Sequence, residues 1–194
     1  MWGAAEMGLT LDRRDVGGRF GGTDTAAFRA MNPFGLVPVL EDGGTVLFES
    51  AAILRYLLGR YGPGEMSARP EDDMWAEWAK HNLARCFILD VFWAYYRTPE
   101  AERDMAAVTQ AQRRVEDMLA SAMAARGGQD WIGGARPGLA DIWVGHILYR
   151  YFTLDLTRQP PDGAEAYYDA LTARAAYRRH VMVDYSELRA RSSQ

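Results

Sequence analysis

The apolar residues in the first part of the chain fall into short runs separated by glycines. Residues 25–31 predict a short helix, which ends before Pro33 because a proline disfavours helical geometry in the residue before it. Two apolar runs, at 36–41 and 45–48, flank the turn Asp42-Gly43-Gly44 and predict a β-hairpin. The pattern thus places two strands directly after the helix predicted at 25–31.

The residues before this hairpin are less regular. Residues 1–7 have the pattern of the last turns of a helix, which Gly8 closes. A helix of one or two turns is not stable by itself, so we interpret this segment as the end of a helix that begins upstream. Residues 9–16 predict a strand with one polar side.

Helical periodicity dominates the chain after residue 50. Ser50 is a good N-cap residue, and the apolar residues after it keep to one helix face until Gly62-Pro63-Gly64 ends the helix. Further helices are predicted at 71–96, 100–125 and 138–151, with one or two more within 164–183. The pattern therefore predicts a mixed α/β domain at 1–62 and an all-α domain at 70–194.

The composition is that of a soluble globular protein, with 48% hydrophobic and 25% charged residues. A net charge of −4 gives no electrostatic basis for binding nucleic acid. The single cysteine, Cys86, excludes an intramolecular disulfide and favours a reducing compartment. No signal peptide or membrane-spanning run is present, so we expect a cytoplasmic protein.

Other chemistry finds little support in the residues. The histidines, His81, His146 and His180, do not have the spacing of a metal site, and we interpret His146 as a core residue. Cys86 has no partner motif, and we interpret it as part of the helical core. We therefore predict no metal site.

A strong family resemblance lies in residues 32–57, which read NPFGLVPVLEDGGTVLFESAAILRYL. This segment closely resembles the glutathione-binding half of glutathione transferases. Residues 138–152 and 166–181 resemble the central and final helices of the same family, so the resemblance covers nearly the whole chain. It implies a thioredoxin-like N-terminal half packed on a C-terminal helical bundle.

The resemblance also implies a glutathione site. In the family, the proline that corresponds to Pro38 is cis, and the residue before it, here Val37, pairs its backbone with the cysteinyl part of glutathione. Taken alone, Pro38 would be a plain edge-strand proline. Ser50 lies at a predicted helix N-terminus, which attracts a carboxylate, and Glu49 would accept the ammonium group of the γ-glutamyl part. Taken alone, this pair would be an N-cap beside a surface acid.

The helical half would supply the pocket for a small hydrophobic electrophile. In the family, the helix that corresponds to residues 71–96 lines this pocket, and its aromatic residues here include Phe92, Tyr95 and Tyr96. The same three side chains could equally pack between helices as core. Both interpretations remain open on the sequence alone.

The chain departs from the family pattern at its start. The family's first half opens with a strand and a loop that carries a Tyr, Ser or Cys beside the glutathione sulfur, where it stabilises the thiolate. Residues 1–9 align with the end of the helix after that loop, so we expect about 15–20 residues to be absent. We therefore assign no catalytic residue and expect a true start upstream of Met1, with a degenerate copy as the alternative.

The leading hypothesis is a homodimeric glutathione transferase, which conjugates the glutathione thiolate to an electrophile. A cysteine in the absent loop would instead indicate a glutathione-dependent reductase or peroxidase. A non-catalytic or degenerate binding protein on the same fold is the alternative from another class, because fold alone does not imply function.

Overall fold

The computed structural model describes residues 1–190 and divides into two compact units. The first unit comprises Met1 and Gly3–Gly64, and the second comprises Trp2 and the residues from Glu65 onward. In the described part of the chain, no helix is long and apolar enough to cross a membrane.

The first unit contains short helices around one hairpin. Its elements are α1 (Trp2–Glu6), a 3₁₀ turn (Gly18–Phe20), α2 (Ala26–Met31), β1 (Val39–Asp42), β2 (Thr45–Phe48) and α3 (Ser50–Tyr61). Thr25 begins α2 by accepting a hydrogen bond from the Phe28 N–H at 3.2 Å. β1 and β2 pair antiparallel with Val39 opposite Phe48, as the hairpin signal predicted.

The strand predicted at residues 9–16 does not form. This segment is irregular, and the sheet in the described residues contains β1 and β2 alone. The charged side chains in it pair locally, with Arg13 Nη2 lying 2.6 Å from Asp15 Oδ1. The segment has no ladder partner among the described strands, so alternation of polar and apolar residues was not sufficient to make a strand here.

The second unit is helical and bends through two π-helical segments. α4 (Pro70–Trp78) continues through π segments at Ala79–Ala84 and Phe87–Trp93 into α5 (Ala94–Tyr96). α6 (Met105–Arg126), α7 (Leu139–Thr153), α8 (Ala164–Ala173) and α9 (Ala175–His180) follow, with 3₁₀ turns at Glu100–Glu102 and Ser186–Leu188. The predicted helix at 71–96 therefore exists, although its winding changes along its length.

Helix α7 lies at the centre of this unit, where it contacts α4, both π segments and α8. Its buried apolar side chains include Val144, Ile147, Leu148 and Tyr151. The helix is apolar on nearly all sides because neighbours surround it. His146, predicted to be a core residue, has its Nδ1 2.9 Å from the Trp143 carbonyl oxygen, and burial lowers its pKa to about 4.

Asp141 lies in the first turn of α7 and is fully buried, with 0% of its surface exposed. Its carboxylate accepts backbone hydrogen bonds from Ile132, Gly133 and Gly138 at 2.8–2.9 Å, and a hydrogen bond from the Tyr167 hydroxyl at 2.6 Å. Burial raises the pKa of Asp141, and the donors oppose this by favouring the charged form. One side chain thereby joins the 132–138 loop, the start of α7 and helix α8.

Replacing Asp141 should strongly destabilise the protein. Asp141→Ala leaves four buried donors without an acceptor, and we expect it to lower the free energy of unfolding by at least about 3 kcal/mol. Tyr167→Phe removes one donor and should have a smaller effect. Urea denaturation measures both, with the exposed Asp117→Ala as the control. Equal stability of Asp141→Ala and Asp117→Ala would contradict the structural role of this carboxylate.

Candidate functional site

The loop that precedes β1 is shaped by Asn32, which is buried. Its amide donates to the Leu36 carbonyl at 2.7 Å, and its side-chain oxygen accepts from the Phe34 N–H at 3.1 Å. Gly35 has φ +65, and a Cβ there would lie 3.0 Å from a backbone oxygen, so this position favours glycine. These constraints fix the chain just before the Val37-Pro38 peptide.

The Val37-Pro38 peptide bond is cis. Val37 is 55% exposed, and its N–H and C=O form no hydrogen bond with another residue in the described part of the chain. An exposed backbone with an unused donor and acceptor, next to a strand, can pair with an extended peptide-like ligand. This is the arrangement that the resemblance implied.

Glu49 and Ser50 lie at the junction of β2 and α3. Glu49 is the N-cap of α3, with φ 68 and ψ 114. Among the described residues, it is the only one other than glycine that has a positive φ. Ser50 is the first residue of α3 and not its N-cap, so the predicted cap was off by one position. The unusual backbone of Glu49 ends the strand and starts the helix within a single residue.

The start of α3 is available to an anion. The first intrahelical hydrogen bond runs from Ile53 N–H to the Glu49 carbonyl at 2.9 Å, and the Glu49 side chain makes no capping bond. The N–H groups before Ile53 therefore have no acceptor within this 12-residue helix and lie at its positive end. A carboxylate could bind here through charge-assisted hydrogen bonds.

The hairpin register brings these two features to the same end of the hairpin. Val39 pairs with Phe48, so Val37-Pro38 precedes the pair on one strand and Glu49-Ser50 follows it on the other. The exposed backbone of Val37 and the start of α3 are therefore close together at this end of the hairpin.

Asp42, at the turn end of the hairpin, holds α3 against the sheet, a role that sequence reasoning missed. Its carboxylate accepts hydrogen bonds from the hydroxyls of Tyr61 at 2.6 Å and Tyr56 at 3.0 Å. The hydrogen bond from Tyr61 is the main cause of the lowered pKa of Asp42. Neither tyrosine is near Asp42 in sequence, so no local pattern pointed to this contact.

The three predicted electrophile-pocket residues lie in the helical unit and have different surroundings. Phe92 is 1% exposed and stacks with Tyr96, and both rings contact Tyr185. Tyr95 is half-buried, and its hydroxyl donates to the Asp155 carbonyl at 2.8 Å. Tyr95 thus keeps accessible surface, while Phe92 and Tyr96 are buried within the unit.

No side chain in these two sets is a strong candidate for thiolate activation. Cys86 is half-buried, and burial raises the pKa of its thiol, which disfavours a reactive thiolate. Among residues 1–190, no three His, Cys, Asp or Glu side chains cluster as a metal site. We therefore assign no thiolate-activating residue among residues 1–190.

Comparison with known proteins shows the family of this chain. Models of the N-terminal and C-terminal domains of glutathione S-transferases match residues 1–58 and 85–174. Glutathione S-transferase GstB of Escherichia coli K12 is 33% identical over 188 residues, which cover 93% of this chain and 90% of GstB. The chain belongs to the glutathione S-transferase family. The predicted family, fold class and enzyme class are confirmed.

Solved structures of glutathione S-transferases share the fold of this chain. The theta-class enzyme from Xanthomonas axonopodis pv. citri, solved with glutathione bound, is 41% identical with a TM-score of 0.84. The match covers 94% of this chain and 90% of that enzyme. Glutathione transferase F7 from Populus trichocarpa is 19% identical with a TM-score of 0.76, which shows the fold alone.

The backbone of Glu49 gives a test of how this transferase's site is held. A non-glycine residue at this φ and ψ is strained, so Glu49→Gly should be more stable than Glu49→Ala by about 1 kcal/mol. Both variants lack the carboxylate, so their difference isolates the backbone. Ala52→Gly, in the ordinary first turn of α3, should instead destabilise the protein. Urea unfolding would refute the strain if Glu49→Gly were no more stable than Glu49→Ala.

Proposed function

We propose that this glutathione S-transferase binds glutathione at Val37, Pro38, Glu49 and Ser50 and conjugates its thiolate to a small hydrophobic electrophile. The observation that carries the proposal is the convergence of the cis Val37-Pro38 peptide and the start of α3 at one end of the β1–β2 hairpin. Each feature matches a different part of the glutathione molecule.

The cysteinyl part of glutathione would pair with Val37. An amide donor and a carbonyl acceptor on one residue can exchange two hydrogen bonds with an extended peptide, as in strand addition. The γ-glutamyl carboxylate would bind the N–H groups at the start of α3, together with the Ser50 hydroxyl. Glu49 would accept from the γ-glutamyl ammonium group, which explains why a carboxylate stands beside an anion-binding helix end.

The reaction that follows is a substitution or addition by sulfur. The thiol loses its proton, the thiolate forms a bond to an electrophilic carbon, and the leaving group departs with its electron pair. The residue that stabilises the thiolate is unassigned. Phe92, Tyr95 and Tyr96 stay the proposed electrophile-pocket residues, on the strength of the family resemblance. A cytoplasmic location is supported by the single cysteine.

The function is tested by binding and turnover together. Glu49→Gln and Ser50→Ala should each weaken glutathione binding about tenfold, because each removes a hydrogen bond to a charged group. Ser121→Ala, an exposed hydroxyl on α6, is the matched control. Calorimetry measures binding, and release of chloride from 1-chloro-2,4-dinitrobenzene measures conjugation. Tight glutathione binding that Glu49→Gln and Ser50→Ala leave unchanged would overturn the site, and bound glutathione without turnover would overturn the reaction.

We also propose that the chain forms a homodimer. Phe34 is 68% exposed and packs edge-on against Phe48, and Leu36 and Val46 of the same unit are exposed as well. Such a group of exposed apolar side chains favours burial against a second copy. Sedimentation equilibrium should give twice the mass of one chain, and Phe34→Asp should shift it toward the monomer. Val183→Asp, an exposed apolar residue of the helical unit, should not.

A further inference from the structure

The helical unit contains a cavity of about 320 Å³ that none of the glutathione-site residues lines. Its walls come from the first half of α6, from the chain just after α7, and from Tyr95. The apolar part of the wall is formed by Met105, Val108 and Leu156, and the charged lining residues are Glu116, Asp155 and Arg113. This volume lies at the lower end of the range of about 300–1,000 Å³ for ligand pockets, so it suits a small ligand.

Glu116 is the unusual residue of this cavity, because it is a carboxylate that is only 9% exposed. Its Oε1 accepts three hydrogen bonds, from Gln112 Nε2 at 3.1 Å, Tyr151 Oη at 3.2 Å and the Gln159 N–H at 2.7 Å. Donors from three separate segments hold the group in one orientation. Its Oε2 accepts no hydrogen bond from the residues that the structure describes.

Among the described residues, no cationic side chain forms an ion pair with Glu116. Arg113 also lines the cavity, but no ion pair joins it to Glu116. Arg158 lies over the Tyr151 ring and donates to the Leu154 carbonyl. Neutral donors alone hold this buried carboxylate, so a cationic ligand would add a charge-assisted hydrogen bond that the described residues do not supply.

The three hydrogen-bond partners of Glu116 are neutral, so they supply no positive charge to balance its carboxylate. Burial, together with the negative charge of Glu116, raises the pKa of Tyr151, so its hydroxyl keeps the proton that it donates to Oε1. Gln112 and the Gln159 backbone are neutral donors. All three bind Oε1, so Oε2 is the oxygen of Glu116 that can accept from a ligand in the cavity.

The rest of the wall suits the apolar body of such a ligand. Tyr95 is held in place by its hydrogen bond to the Asp155 carbonyl and by the Arg103 guanidinium, 4.7 Å from its ring centre. Met105 adds a flexible thioether side chain that can adapt to irregular shapes. An ammonium group on a short aryl or alkyl chain therefore matches both the acidic and the apolar parts.

We propose that this cavity is a binding site for a small organic cation, whose primary ammonium group donates to Glu116 Oε2 while its apolar part packs against Met105, Val108 and Leu156. The site is independent of the glutathione site, and it shares only Tyr95 with the proposed electrophile-pocket residues.

The test uses the full chain and two probes of the same shape, 2-phenylethylammonium and neutral 2-phenylethanol, measured by calorimetry. The ammonium should bind at least about tenfold more tightly than the alcohol. Glu116→Gln should abolish this preference, since its side-chain oxygen can still accept the three donors while an amide replaces Oε2. Asp117→Asn, an equal charge change at an exposed position of α6, should leave it intact.

A second variant covers the case in which Glu116→Gln fails to fold. Thr109→Phe adds bulk to the cavity wall without a change in charge, and it should weaken binding of the ammonium about tenfold or more. The proposal is overturned if the ammonium and the alcohol bind equally, if neither binds, or if Thr109→Phe has no effect. It is also overturned if the ammonium competes with 1-chloro-2,4-dinitrobenzene in turnover, because the cavity would then be the electrophile pocket.

Discussion

The helical unit depends on the burial of one carboxylate. Asp141 is fully enclosed, and its two oxygens accept four hydrogen bonds from a loop, a helix start and a neighbouring helix. A buried charge is tolerated only when such donors surround it. The 132–138 loop, the start of α7 and Tyr167 of α8 are therefore joined through one side chain, next to the helix that lies at the centre of the unit.

A carboxylate performs a comparable role in the first unit, at the surface. Asp42 ties Tyr56 and Tyr61 of α3 to the turn end of the hairpin. At the opposite end, the hairpin register sets Val37-Pro38 beside the start of α3. The proposed glutathione site therefore depends on both ends of a short hairpin: the turn end holds α3 in place, and the opposite end places the start of α3 beside Val37-Pro38. A two-stranded hairpin is only marginally stable by itself, so its hydrogen bonds with Tyr56 and Tyr61 are important for holding it in place.

Much of this could be predicted from local pattern. The hairpin follows from two apolar runs around Asp42-Gly43-Gly44, and α3 follows from helical spacing after Ser50. The family motif gave the identity of the glutathione-site residues, which stay a prediction. The strand predicted at residues 9–16 was wrong, because a strand requires a partner and no local pattern supplies one. The helix at 71–96 was predicted, but its π-helical winding was not.

The sequence by itself determined the hairpin, most of the helices, the family and the enzyme class, because periodicity, turn residues and the 32–57 motif are local properties of the chain. Only the tertiary structure decided which polar groups meet. The donors to Asp141 and Glu116 come from distant segments, and the positive φ of Glu49 appears only where a strand must turn into a helix. The tertiary structure also decided that Phe92 is buried and Tyr95 only half-buried, because the exposure of a side chain depends on the residues that pack against it.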